Sequence, residues 1–183
     1  MTFEFKPMSQ TPVPDWLELL NHPLVKRHMP LATEDFTASS CQHWIEGKER
    51  LWQSHGYGPQ AILHQGEFVG WGGFQPDGDD IDLGLVLHPK HWGLGIPIFK
   101  AFLRQGFETH HFRSIVIALP ESRTRTRALA RIGFQRDGDF HVGEILFHRW
   151  RLENPNASDS SHISSDRAGT ISTFINISDR EQS

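Results

Sequence analysis

The sequence contains a single cysteine, Cys41, among its 183 residues. One thiol cannot form an intramolecular bridge, so a small disulfide-stabilised secreted scaffold is excluded. No apolar run approaches the roughly 20 residues that a membrane-spanning helix needs. The first residues also lack the basic and apolar regions of a signal peptide. We therefore expect a soluble, cytoplasmic protein that does not act at a membrane.

An excess of positive charge is also absent from the chain. The 18 Lys and Arg residues against 22 Asp and Glu residues give a formal net charge of -4. Because nucleic-acid backbones attract basic proteins, nucleic acid is not predicted as a partner. The 12 histidines show no H-E-x-x-H spacing, and one cysteine cannot supply a Cys-x-x-Cys pair, so no metal site is predicted either.

The composition changes near residue 152. The preceding part is long enough to bury one core of ordinary size, whereas the segment after it is rich in Ser, Asn and Asp. Such a segment buries too little apolar surface to offset the entropy of ordering. We predict one domain over residues 1–152 and a disordered tail over residues 153–183.

Hydrophobic periodicity divides the domain into alternating helices and strands. Helices are predicted at residues 15–20, 24–29, 37–55, from 96 onward and at 122–132. Strands are predicted at residues 60–64, 67–74, 80–88, 114–119, 134–139 and 142–151. In the third of these strands alternate residues share a face, which places Leu83 and Leu87 on one side and Asp82 and Val86 on the other.

A glycine-bearing turn, Trp92–Pro97, joins that third strand to an amphipathic helix. The first amides of a helix lack intrahelical partners and can bind an anion such as phosphate. An ordinary strand-to-helix turn remains the alternative. No Gly-Lys-Ser/Thr follows, and no third glycine stands in dinucleotide register, so P-loop and Rossmann sites are excluded.

The segment LHPKHWGLGI at residues 87–96 resembles the coenzyme A pyrophosphate loop of GNAT acetyltransferases. Residues 25–30, 82–85 and 128–134 resemble the branch that includes ribosomal-protein N-terminal acetyltransferases. The resemblance covers residues 15 to 150. It implies an α/β (α+β) fold in which helices flank a twisted, mixed but mostly antiparallel sheet with splayed central strands. It also implies acetyl-CoA as cosubstrate and an amine as acceptor.

The resemblance further implies which residues bind the coenzyme. The pantetheine arm is expected to pair with the backbone of the third strand, and the pyrophosphate with the loop after it. This sequence departs from the family pattern at Pro97, which has no amide hydrogen to donate. Ser122 stands near an asparagine of the family, although capping a helix is an alternative role. The predicted coenzyme-binding residues are Leu85, Val86, Leu87, Trp92, Gly93, Leu94, Gly95, Ile96, Pro97 and Ser122.

Asp82 stands where the branch commonly has an acidic residue that faces the acceptor, and it is the predicted catalytic base. The alternative is a solvated carboxylate in an acidic loop with Asp79 and Asp80. A free aspartate has a pKa near ~3.9, so use as a base needs a favourable environment. The family's tyrosine acid has no counterpart, because the only tyrosine is Tyr57, before the first predicted strand.

These features predict an N-acetyltransferase in which a primary amine attacks acetyl-CoA directly. An α-amine costs less to deprotonate at neutral pH than a lysine side chain, which favours protein N-termini or small amines of low pKa. The alternative is a catalytically impaired GNAT-like module that binds coenzyme A or a protein. A homodimer is compatible with the sequence.

Overall fold

The structure is a computed structural model that describes residues 2–124 and 126–157. None of the helices within these ranges combines the length and the apolar character needed to cross a membrane. The strands are β1 (Glu4–Lys6), β2 (Pro59–His64), β3 (Glu67–Asp77), β4 (Asp80–Leu87), β5 (Ser114–Pro120), β6 (Gln135–Val142) and β7 (Ile145–Glu153). The helices are α1 (Val13–Leu20), α2 (Pro23–Lys26), α3 (Ala38–His55), α4 (Gly95–Arg104) and α5 (Arg127–Ile132).

The seven strands form one sheet in the order β1-β2-β3-β4-β5-β7-β6. All neighbours are antiparallel except β4 and β5, which run parallel and pair only at Asp82 and Val116. Beyond this single contact the two central strands separate. The predicted mixed, mostly antiparallel sheet with splayed central strands is therefore confirmed.

Each face of the sheet carries its own hydrophobic core. Trp16, Trp44 and Trp71 are buried in the core beneath α1, α2 and α3. The other core packs α4 against the opposite face and contains Leu83 and Leu87. The predicted alternation along β4 is confirmed, because Val86 contacts the first core and its neighbours contact the second.

Helix α3 begins and ends as its sequence predicts. The hydroxyl of Thr37 accepts a hydrogen bond from the Ser40 amide at 3.2 Å, and the Ser40 hydroxyl accepts one from the Thr37 amide at 2.9 Å. This capping box satisfies amides that the first turn leaves unpaired. Gly56 ends the helix at φ 73°, a left-handed conformation that favours glycine.

The N-terminal segment differs from the prediction in three places. Helix α1 begins at Val13 rather than at residue 15. Strand β1, which pairs with β2, was missed because three residues are too few to show a period of two. Helix α2 begins at Pro23 rather than at residue 24 and ends at Lys26. The His22 side chain accepts a hydrogen bond from the Leu24 amide at 3.2 Å, so the predicted break between helices is also a cap.

The predicted helix at residues 122–132 is wrong over its first half. Helix α5 begins only at Arg127, because the chain first makes a turn in which the Arg123 amide donates to the Pro120 carbonyl. Its predicted end is confirmed at Gly133, with φ 110°. Strand β7 runs to Glu153, and of the predicted tail only residues 153–157 belong to the described ranges.

Candidate active site

A cavity of about 380 Å³ opens where β4 and β5 separate. Residues 83–87 of β4 form one wall and residues 117–120 of β5 form the opposite wall. The start of α4 closes one side, and residues at and after α2 close another. A strand edge without a neighbour has backbone groups free to pair with an extended ligand, so the splay creates a binding cleft.

Most of the predicted coenzyme-binding residues meet in this cavity. Leu85, Val86, Leu87, Trp92, Gly95 and Ile96 line it. Gly93, Leu94 and Pro97 lie in the adjoining loop and first helical turn without lining it. Ser122 is exposed in the turn between the lining residues Pro120 and Arg123 but does not line the cavity itself. It does not cap α5, so its alternative role as a cap is wrong.

The loop between β4 and α4 is wound into a 3-10 helix over Pro89–Leu94. His88 caps this helix, since its Nδ1 accepts a hydrogen bond from the Lys90 amide at 3.3 Å. At the other end the Gly95 amide donates to the Trp92 carbonyl. The predicted group of free amides from Gly93 to Ile96 is therefore smaller than expected.

Neither glycine of this loop is required by backbone conformation. Gly95 has φ -55° and ψ -48°, an ordinary helical conformation, and Gly93 is not among the residues with positive φ. A Cβ would therefore carry no conformational penalty at either position. A Cβ on Gly95 would meet only Leu87 Cδ1 at 3.8 Å, and one on Gly93 would meet nothing within 4 Å. The two glycines instead leave space above the backbone.

Trp92 connects the loop to the end of β4. Its Nε1 donates a hydrogen bond to the Leu87 carbonyl at 3.0 Å, a contact that the sequence did not reveal. The indole therefore fixes the loop against the strand that forms the cavity wall. Because the Leu87 carbonyl already accepts this hydrogen bond, a ligand that pairs with β4 must use backbone groups nearer Leu85.

Pro97 occupies the first turn of α4, two residues after Gly95. An amide at this position would have no intrahelical partner, so the helix loses no internal hydrogen bond to the proline. The departure from the family pattern therefore leaves α4 intact.

Asp82 is buried, with 1% of its surface exposed, at the one position where β4 pairs with β5. Lys48 of α3 is buried beside it and donates a hydrogen bond to Oε1 of Gln75, the β3 residue opposite Asp82. Burial lowers the pKa of Lys48 to about 8, and the negative charge of Asp82 opposes this shift. Sequence reasoning missed Lys48, whose charge would be expected on an exposed helix face.

The alternative of a solvated acidic loop is wrong for Asp80 and Asp82, because both side chains are buried. Asp80 Oδ2 accepts a hydrogen bond from Arg149 Nη2 at 2.6 Å, and Asp80 Oδ1 accepts one from Arg151 Nη1 at 2.9 Å. These pairs join the start of β4 to β7. Because β7 is the other neighbour of β5, they link the two strands that flank β5.

His28 is a lining residue that the sequence-based site omitted. Its amide bonds to the Val25 carbonyl, so Val25, His28 and Met29 share a helical face, which is the signal that could have found it. The His28 ring centroid lies 6.2 Å from that of Trp92. Burial, and then Arg123 and Arg27, lower the pKa of His28.

Arg123, Arg127 and Arg131 do not share one helical face, because Arg123 precedes α5. Arg123 lines the cavity from the turn before the helix, whereas Arg127 and Arg131 lie on the helix itself and do not line it. A cation at the cavity suits an anionic ligand.

His88 and His91 face away from the main cavity. His88 Nε2 lies 3.4 Å from Glu18 Oε1, and His91 Nε2 lies 3.3 Å from Glu67 Oε1. Both histidines line a second cavity of about 170 Å³. Within residues 2–124 and 126–157 no group of three or more His, Cys, Asp or Glu side chains is arranged to hold a metal ion.

The main cavity suits an elongated ligand with an apolar arm and an anionic end. Its walls are largely Leu, Val, Ile and Ala side chains, the first turn of α4 lies on one side, and Arg123 supplies a positive charge. An acyl-pantetheine arm ending in a pyrophosphate has this chemistry. The residues present therefore fit coenzyme A.

A family model described as an acetyltransferase (GNAT) domain matches residues 3–135. A search among curated proteins found no significant match. The solved structures that resemble the chain share its fold at low sequence identity.

One of them is RimL, a ribosomal L7/L12 α-N-protein acetyltransferase in complex with coenzyme A. It is 19% identical at a TM-score of 0.68, with 84% of this chain and 94% of that chain covered. An acetyltransferase from Salmonella typhimurium that modifies the N-terminal serine of L7/L12 is 18% identical at a TM-score of 0.66, with 84% and 95% covered.

Spermidine N-acetyltransferase from Vibrio cholerae, in complex with coenzyme A and spermine, is 12% identical at a TM-score of 0.66, again with 84% and 95% covered. The family model spans well over half of the chain, and the sheet splays between β4 and β5 as expected. The chain belongs to the GNAT acetyltransferase family.

Proposed function

We propose that this chain transfers the acetyl group of acetyl-CoA to a primary amine, either a protein N-terminal α-amine or the amine of a small molecule. The observation that carries the proposal is the cavity between β4 and β5, with the start of α4 on one side. The neighbours solved with coenzyme A support the choice of cosubstrate.

The loop and the strand edge bind different parts of acetyl-CoA. Gly93 and Gly95 leave space for the pyrophosphate above the first turn of α4, where the helix dipole favours an anion. The backbone of β4 near Leu85 pairs with the pantetheine amides, and an amide of this strand stabilises the oxyanion that forms when the amine attacks.

Asp82 is the proposed proton acceptor for the arriving ammonium. Its side chain is on the face of β4 that points toward α3, and Gly84 on the same face lines the cavity. Asp82 itself does not line the cavity, so the proton passes through water. Lys48 holds the carboxylate in place.

The cost of deprotonation bears on the choice of amine. At pH 7 an α-amine (pKa ~7.8) costs ~1 kcal/mol to deprotonate, against ~4.6 kcal/mol for a lysine side chain (pKa ~10.4). This difference favours an α-amine or a small amine of low pKa.

One observation favours the second candidate, a GNAT-like module that binds coenzyme A without transferring acetyl groups. Asp82 is buried next to Lys48, and a nearby cation makes a carboxylate a weaker base. A chain that only binds will still be stabilised by acetyl-CoA, because any ligand of the folded state raises its stability.

Two measurements together separate these functions. We expect acetyl-CoA to raise the Tm of the chain, and a panel of amines and N-terminal peptides to release free thiol from acetyl-CoA. A Tm increase with no thiol release from any acceptor supports the binding module. No change in Tm at millimolar acetyl-CoA contradicts both.

A further inference from the structure

The cavity contains a residue that can move a proton at neutral pH. Among the described residues that line it, only His28 and Arg123 have ionisable side chains. Arginine stays protonated at any physiological pH, whereas histidine titrates near neutrality. Of the lining residues described, His28 is therefore the one suited to proton exchange with a bound ligand.

The fold directs the His28 ring toward the cleft. Val25 and Met29, three residues before and one residue after it, are buried in the core beneath α1, α2 and α3. His28 lies in the turn after α2 between these two buried residues, and its side chain lines the cavity. Its ring lies 6.2 Å from that of Trp92, whose indole is bonded to the Leu87 carbonyl. His28 is thus held near the end of the β4 wall.

The surroundings of the His28 ring keep it neutral and leave one of its nitrogens without a partner among the described residues. His28 Nδ1 is buried and has no hydrogen-bond partner in the part of the chain that the structure describes. Buried polar atoms without partners are uncommon, and a catalytic role is one recognised reason for them. Burial together with the nearby Arg123 and Arg27 lowers the pKa of His28, so the ring is neutral at pH 7 and able to accept a proton.

We propose that His28 carries the proton of the attacking amine to the departing sulfur. This inference rests on the proposed acetyl transfer. The ammonium first loses one proton through water to Asp82, and the neutral amine nitrogen then forms a bond to the acetyl carbon. As the C–S bond breaks, the sulfur leaves with the electron pair, and the nitrogen passes its second proton to a ring nitrogen of His28.

The imidazolium then protonates the thiolate, which releases the coenzyme as a thiol and returns His28 to its neutral form. The nitrogen gives up its proton readily once it is bonded to the acetyl carbon, because it is then on the way to a weakly basic amide. The second transfer follows from ordinary pKa values, because a thiol (pKa ~8.5) holds a proton more tightly than an imidazolium (pKa ~6.5). His28 would thus take the place of the tyrosine that the chain lacks at the family's acid position.

The test uses full-length His28→Gln, which keeps the size and hydrogen-bonding capacity of the side chain but cannot exchange a proton near pH 7. We expect kcat to fall about 10²-fold, the low end of the usual range for proton-transfer catalysts. The Tm increase caused by acetyl-CoA should stay within about a degree of the wild type. His43→Gln, which alters an exposed histidine of α3, is the matched control and should keep full activity.

A second variant separates proton transfer from structure. His28→Ala should be slow, and added imidazole should restore its rate several-fold while leaving His43→Gln unaffected. A His28→Gln kcat within about twofold of wild type, or a slow His28→Ala that imidazole does not accelerate, overturns the inference. A wild-type chain that acetylates no amine overturns the proposed function as well, so the two failures are distinguishable.

Discussion

Lys48 of α3 and Asp82 of β4 are buried side chains that attract each other where β4 and β5 separate. The pair joins the helical layer to the strand that forms the cavity wall. Removing two charges from water is costly, and each side chain depends on the other to offset that cost. Substitutions of Lys48 or Asp82 should therefore change stability and activity together.

Stability should rise with pH because of Lys48. Its pKa is about 8 in the folded chain and ~10.4 when unfolded. Between these values the unfolded state binds more protons, so the Lys48 contribution to the free energy of unfolding increases with pH. Urea unfolding at pH 7.5 and 9.5 measures this increase.

Between these pH values the unfolding free energy of the wild type should gain more than that of Lys48→Met, whereas Lys100→Met, which alters an exposed lysine of α4, should match the wild type. If Lys48→Met and wild type show the same change in unfolding free energy between these pH values, the ammonium is not perturbed as described.

Asp82→Asn should lower kcat by about 10²- to 10⁴-fold, because the amide keeps the shape of the side chain but cannot accept a proton. Acetyl-CoA affinity should change little, and raising the pH should partly restore the rate, since more of the amine then arrives neutral. Steady-state kinetics from pH 7 to 9 measure both effects.

The double variant Lys48→Met/Asp82→Asn distinguishes a base from a charge partner. If Asp82 accepts the proton, the double variant stays as slow as Asp82→Asn. If its role is only to balance Lys48, removing both charges brings kcat back toward the wild-type value and contradicts the assignment.

Gly95→Glu should abolish the Tm increase caused by acetyl-CoA and leave the far-UV circular dichroism spectrum unchanged. Gly95 has a helical conformation and its Cβ would have room, so the fold tolerates the side chain. The added carboxylate would enter the space assigned to the pyrophosphate and repel it.

Gly47→Glu introduces the same side chain on α3, away from the cavity, and serves as the control. Gly47→Glu should retain the increase in Tm. An undiminished Tm increase in Gly95→Glu places the pyrophosphate elsewhere.

The architecture could be predicted because it depends on local signals and on the resemblance. Alternating apolar residues identified β4, and the Thr37 cap and Gly56 fixed the ends of α3. Separation of β4 from β5 followed only from the resemblance, because it depends on pairing between strands distant in sequence. The start of α5 could not be predicted, since Ser122 is a suitable cap whose turn bonds to Pro120 instead.

The site was harder to predict than the fold. A loop can be assigned from glycines, but the 3-10 winding that engages the Gly95 amide appears only in three dimensions. Lys48 and His28 come from the N-terminal layer and reach the site through packing, so no spacing along the chain connects them to β4. Their roles depend on burial and neighbouring charges, which composition does not show.

The central claim is that the chain moves an acetyl group from acetyl-CoA to an amine, and product stoichiometry tests it most directly. Burial raises the pKa of Cys41 to about 11, so the protein's own thiol should add little background to a thiol assay. With the best acceptor from the amine panel, free thiol and acetylated amine, counted by mass spectrometry, should appear in a 1:1 ratio at a rate proportional to enzyme. Thiol release without acetylated amine, or no release with any acceptor, would contradict the account.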